Sequence, residues 1–144
     1  MKHKTKYDEP FEVTVYEDAD SNRPYIEVYD GLINSFLIDW FDKLLIIYLM
    51  MSSDTSKINC VNTATVSIRE ICQKTKMSKP TICKHIRILE EKGIIIKQEN
   101  NTPNNKRIAN TYKLLNYVSV WDCKTLNELK NVTNKIKSEV LKDG

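Results

Sequence analysis

No stretch limits the possible folds more than Ser67–Gly93, SIREICQKTKMSKPTICKHIRILEEKG. It spells two short helices with a tight turn between them. Ser67 followed by Glu70 makes a capping box, in which each side chain satisfies a backbone N–H of the other residue. Ile68, Ile71 and Cys72 then share one face at i, i+3 and i+4. Lys76-Met77 form the turn. Ser78 caps a second helix, and Pro80 sits in its first turn, where no backbone N–H is needed. Ile82, Ile86 and Leu89 recur at i, i+4 and i+7 as its buried stripe, and Gly93 ends it in a left-handed conformation.

With that stripe inward, Lys79, Thr81, Cys83, Lys84 and Arg87 are left on the outward side. A helix fits the major groove of DNA, and its N-terminal residues reach base edges. Lys84 and Arg87, at i and i+3, put positive charge on one strip. Thr81 suits a phosphate or a thymine methyl, and Arg87 suits bidentate reading of guanine. The charge distribution agrees. Residues 1–54 carry five Lys/Arg against eleven Asp/Glu, whereas 55–77 carry four against one and 78–113 eight against three. A net charge of only +3 therefore conceals a basic segment centred on the helix pair.

The two-helix unit resembles the helix-turn-helix of bacterial winged-helix DNA-binding proteins, with SKPTICKHIRILEEKGII in the place of the recognition helix and the strand after it. The likeness extends over residues 25 to 115. It is strongest to the small winged-helix modules of phage and plasmid replication-initiation, or replisome-organiser, proteins, and more distant to transcription regulators of the multiple-antibiotic-resistance type. It implies an α+β fold: a three-helix helix-turn-helix core with a small antiparallel β-sheet wing, carrying here an N-terminal β-hairpin and a C-terminal helix. It also implies sequence-specific binding of double-stranded DNA, in replication initiation or in transcription regulation, beside replication or transcription proteins. Three positions depart from the family pattern: Lys76 where glycine is common, Thr75 where an apolar residue is usual, and Ile88 on the outer side of the helix. If Lys76 takes a positive φ it costs on the order of 1 kcal/mol. The competing reading is a winged helix that binds protein instead of DNA, with the acidic N-terminal half and Ile88 as its interface.

In chain order, residues 1–10 read as a loose polar tail. Phe11–Tyr16 and Tyr25–Tyr29 alternate apolar and polar, as the strands of a hairpin do. Gly31–Phe36 reads as a helical turn. Asp39 caps a long apolar helix over about residues 40–52, with Phe41, Leu44, Leu45, Tyr48, Leu49 and Met51 wrapping most of its circumference and Trp40 as a packing residue. Thr63–Val66 is a short strand. After Gly93, a β-branched strand, the turn-rich NNTPNNKR and a second strand from Ile108 to Leu115 make the wing. Lys106 and Arg107 near its tip reach the minor groove or adjacent phosphates, and Asn104 and Asn105 can donate to phosphates. Residues 116–123 read as a connection. In the last segment Leu126, Leu129, Val132, Ile136 and Val140 form a narrow stripe that can pack on its own domain or on the same helix of a second copy. A homodimer would match palindromic half-sites. The division is a tail at 1–10, a winged-helix domain with its hairpin at 11–116, and the C-terminal helix at 117–144.

The chain does not read as an enzyme. It has two histidines, His3 in the tail and His85 on the second helix, and no glycine-rich phosphate loop, metal-binding cluster or nucleophile–base spacing. Cys60, Cys72, Cys83 and Cys123 are scattered without the C-x-x-C spacing of a zinc site, so no metal and no cofactor is expected. The N-terminus MKHKTKYDE lacks the apolar core of a signal peptide, and Leu44–Met51 is too short to span a bilayer. A cytoplasmic protein with no membrane partner is the expectation.

Overall fold

The structure is a computed structural model that describes residues 15–17, 24–26, 28–53, 62–100 and 108–140. The tail at 1–10, most of the first expected strand, Cys60 and the tip of the expected wing lie outside the described residues. A two-stranded antiparallel hairpin, β1 (Val15–Glu17) with β2 (Pro24–Ile26), comes first, in a register that places Val15 opposite Ile26. Two helices follow, α1 (Asp30–Asn34) and α2 (Trp40–Met51). The helix pair of the sequence is α3 (Ile68–Thr75) and α4 (Lys79–Glu91). Strands β3 (Asn62–Val66), β4 (Ile95–Gln98) and β5 (Asn110–Leu114) form an antiparallel sheet in the order β3-β5-β4. The chain ends in a short α5 (Val118–Trp121) and a long α6 (Leu126–Val140). Three helices backed by a three-stranded antiparallel sheet are compatible with a winged helix-turn-helix.

Local chemistry sets the boundaries of α3 and α4. Ser67 Oγ accepts from Glu70 N at 3.0 Å, and the Glu70 carboxylate returns to the Ser67 backbone. Ser78 accepts from Thr81 N at 3.4 Å, with Pro80 in the first turn. Lys76 takes φ 64°, the one positive φ among the described non-glycine residues. Thr75 explains why that turn is tolerated. Its hydroxyl donates to Ile71 O at 2.7 Å and accepts from Met77 N at 3.3 Å, so it holds the backbone on both sides of Lys76. Gly93, at φ 81°, completes a Schellman motif: Ile94 N donates to Leu89 O and Gly93 N to Glu90 O, both at 3.0 Å.

The core lies between the helices and the sheet. Ile82, Ile86 and Leu89 of α4 are buried as expected, with Ile71 of α3 and Leu45, Ile46, Leu49 and Met50 of α2. Ala64, Val66, Tyr112 and Leu114 alternate inward from β3 and β5. Each fully buried aliphatic side chain contributes about 1.5–3 kcal/mol relative to exposure. Cys72 is half-buried and packs against this core.

The outer side of α2 corrects the expectation. Phe41, Leu44 and Met51 are exposed, and so is Trp40, which does not pack into the core. The helix instead turns Asp42 and Lys43 inward. Lys43 Nζ donates to Ile33 O at 2.6 Å, satisfying a carbonyl in α1, and sits 5.2 Å from the centroid of the Trp40 ring. Asp42 completes a capping box with Asp39 and meets a partner on α4.

Two features appear at the C-terminal end. Residues 118–121, expected as a connection, form α5, where Trp121 Nε1 donates to Asn116 Oδ1 at 2.8 Å. The stripe of α6 is spent within the chain: Leu129 and Ile136 are buried and Val132 packs against the core, while Leu126 stays exposed. Thr133 of α6 comes so close to Gly93 that a Cβ there would lie 2.5 Å from its Oγ1.

Candidate nucleic-acid interface

The face of α4 opposite the core carries the candidate residues. Lys79, Lys84 and Arg87 are exposed, and Thr81 and Cys83 are half-buried. The Thr81 hydroxyl is shared with Ser78 Oγ at 2.9 Å, so the cap and the first outward side chain form one unit. Ile88, which the sequence puts toward the outer side, is half-buried.

A groove of about 620 Å³ runs along one flank of this face. Lys79, Cys83 and Arg87 line it in one row, at i, i+4 and i+8, with Glu90 one turn further. Its opposite wall is Lys97 of β4 and residues 108–110 at the start of β5, and Ser67 and Ile68 of α3 close one end. The structure thus brings three of the candidates together with the root of the β4–β5 hairpin. Thr81 and Lys84 are outside this lining. Lys106 and Arg107, with Asn104 and Asn105, lie outside the described residues.

The hairpin root is tied by one side chain. Asn100 Nδ2 donates to Ala109 O at 2.9 Å and to Thr111 Oγ1 at 2.8 Å, and Ile108 N donates to Asn100 O at 3.2 Å. These bonds hold the two strands at a set separation where the loop begins. Sequence reasoning missed Lys97 as a member of the groove. Its ammonium is 3.7 Å from Glu90 and 4.0 Å from Glu99, both exposed enough that the pairs are weak. Only a link between a helix and a strand reveals it, since neither segment shows the groove alone. Lys92 is turned away, donating to Leu37 O at 2.6 Å, so its charge anchors the segment after α1.

His85 sits on the inward side of α4. Its Nδ1 is 2.7 Å from Asp42 Oδ1 and 3.7 Å from Asp39 Oδ1, and its ring stacks on Phe41 with centroids 5.2 Å apart. Asp39, Asp42 and His85 are the grouping of potential metal ligands found among the described residues. Their atoms are already engaged with one another. Asp39 Oδ1 accepts from Asp42 N at 2.9 Å, Asp42 Oδ2 accepts from Asp39 N at 3.2 Å, and Asp42 Oδ1 accepts from the imidazole. The cluster therefore has a complete structural role: it caps α2 and fastens α4 to it.

The described cysteines divide by environment. Cys83 is half-buried in the groove, whereas Cys123 is buried and donates to Ser119 O at 3.1 Å. Burial, and then the negative charges of Glu128 and Asp122, push the Cys123 thiol above its ordinary value. No described helix is long and apolar enough to cross a membrane.

Residues 42–95 match a protein family described as a helix-turn-helix domain. The matched segment begins within α2 and takes in β3, α3, α4 and the first residue of β4, so it contains the capped pair and most of the groove's helical wall. No curated protein and no solved structure matches the chain.

Proposed function

We propose that this chain binds double-stranded DNA sequence-specifically through a winged helix-turn-helix, with α4 in the major groove and the β4–β5 hairpin as the wing. An α-helix about 10–12 Å across fits a groove about 12 Å wide. The observation that carries the reading is the row Lys79–Cys83–Arg87, set on a helix whose other side is locked into the core and facing the root of the hairpin. The helix-turn-helix match over residues 42–95 supports it independently.

Within this reading Arg87 reads guanine, and Thr81 contacts a phosphate or a thymine methyl. Lys79 and Lys84 neutralise phosphates on the two sides of the helix, and Cys83 packs against a base edge or sugar. Lys106 and Arg107 belong, by position in the chain, to the loop joining β4 and β5, and reach the minor groove or flanking phosphates. The biological setting is initiation of phage or plasmid replication, or transcription regulation, as the family resemblance implies.

Selection of a preferred site from a randomised duplex pool, followed by binding of Arg87→Ala and Lys106→Ala, tests the assignment. Arg87→Ala is expected to cost about 1–3 kcal/mol on the selected site and to relax its sequence preference. Lys106→Ala is expected to weaken selected and random DNA alike and to lower the salt slope by about one. An Arg87→Ala protein that keeps the full sequence preference would show that α4 is wrongly placed.

A further inference from the structure

The outer face of α2, with Phe36 just ahead of it, presents an apolar strip at the upper end of what a soluble monomer ordinarily leaves uncovered. Phe36, Trp40, Phe41, Leu44 and Met51 are 73, 72, 49, 44 and 47% exposed. Aromatic side chains of this kind offer roughly 150–250 Å² each, so the strip amounts to on the order of 600 Å². The largest apolar patch of a typical monomer is about 300–600 Å², and a standard protein interface takes about 800 Å² from each partner. The strip alone approaches what a stable dimer needs.

Its chemistry selects the occupant. The two charged residues of α2, Asp42 and Lys43, are both buried and bonded within the chain, so the exposed side of the helix carries no charged side chain. A partner of opposite charge has nothing to pair with on it, and a second copy meets no like-charge repulsion. The spacing is self-complementary as well. Phe41, Leu44, Tyr48 and Met51 follow the three-four alternation of a helix-pairing seam. In an antiparallel pair about a two-fold axis between residues 44 and 48, Leu44 faces Tyr48 of the second copy and Phe41 faces Met51. Each contact then sets an aromatic ring against a flexible aliphatic or thioether side chain. The same side of α2 borders a groove of about 670 Å³, whose far wall carries one charge of each sign, Glu70 and Lys74. The apolar stripe of α6 does not compete for this role, because Leu129 and Ile136 are already buried.

We propose that the chain forms a homodimer through α2, two copies of the Phe41–Leu44–Tyr48–Met51 seam packing antiparallel. The inference does not use the DNA reading, and each can fail without the other. If both hold, the dimer supplies two recognition helices for a palindromic site.

Sedimentation velocity of the full chain, up to about 100 µM, is the test, with Leu44→Glu and Tyr48→Lys proteins beside the wild type. Both positions are at least partly exposed, and circular dichroism checks that the variants keep the fold. The wild type is expected to dimerise. Leu44→Glu, which places two unpaired carboxylates in the seam, is expected to weaken the dimer by at least ~100-fold. An equimolar mixture of the two variants is expected to recover a heterodimer, because the carboxylate introduced in one chain then faces the ammonium introduced in the other. A wild-type monomer throughout the range, a dimer indifferent to Leu44→Glu, or a mixture that stays monomeric would each overturn the proposal.

Discussion

Removing the His85 imidazole should loosen α4 from α2 without touching the outward face. His85 and Asp42 are about 5% and 2% exposed, and their contact at 2.7 Å spans 43 positions of sequence. His85→Ala deletes a hydrogen bond to a carboxylate, worth about 1.5–3 kcal/mol, and leaves Asp42 Oδ1 buried with no replacement donor. The lost stacking on Phe41 adds about 0.5–1.5 kcal/mol. The Asp39 backbone N–H still reaches the other Asp42 oxygen, which limits the damage. A total near ~3 kcal/mol follows, at the lower end of the about 3–5 kcal/mol typical of breaking a buried pair. Urea unfolding of wild type, His85→Ala, Asp42→Ala and the double variant gives the coupling directly. The expected coupling is about 1.5–3 kcal/mol, with the double variant more stable than the sum of the single losses implies. A coupling under about 0.5 kcal/mol would refute the reasoning, because the two groups would then be stabilised separately.

Gly93→Ala is expected to cost about 2–3 kcal/mol, from the left-handed backbone and from crowding of Thr133, and Thr133→Ala should recover only the crowding part; thermal melts of the three variants separate the two. The raised Cys123 thiol has a definite sign in pH dependence. The folded state keeps the proton above its ordinary value of 9.0, the unfolded chain releases it, and stability falls as pH rises through that value. The wild type should therefore lose stability relative to Cys123→Ala between about pH 8 and 10 in paired urea titrations, and a flat or rising difference would contradict the assignment. Alkylation should follow access: Cys83 in the groove reacts ahead of Cys123, and bound duplex protects Cys83, both readable by mass spectrometry of peptides.

What was legible in the sequence is local chemistry. Ser67 with Glu70, Asp39, Ser78 with Pro80, and Gly93 each declare a helix end within four or five residues, and all of those ends stand where expected. The inward stripe of α4 was equally plain, because its polar residues leave one apolar side. On α2 the same reasoning failed. Apolar residues surround that helix, so periodicity cannot choose between Leu45 and Leu44 or between Met50 and Met51. The choice is made by α1, whose Ile33 carbonyl takes Lys43, and by α4, whose His85 takes Asp42. Both ties draw a charged residue inward, against its ordinary preference, and turn an apolar strip out. Four residues were too few for α5 to show a period. The groove was illegible for a different reason: Lys97 and Ile108 meet Arg87 only once the sheet pairs β4 with β5.

The central claim is that the outward side of α4 meets DNA. Its most direct test is a fluorescence-anisotropy titration of the wild type and of Lys84→Ala/Arg87→Ala on a random-sequence duplex at several salt concentrations. Wild-type affinity is expected to fall steeply with salt, and the double variant to bind more weakly, with a slope lower by about one for the lost phosphate contact of Lys84. Wild-type protein that fails to bind even at low salt, or a double variant that binds with unchanged affinity and slope, would contradict it.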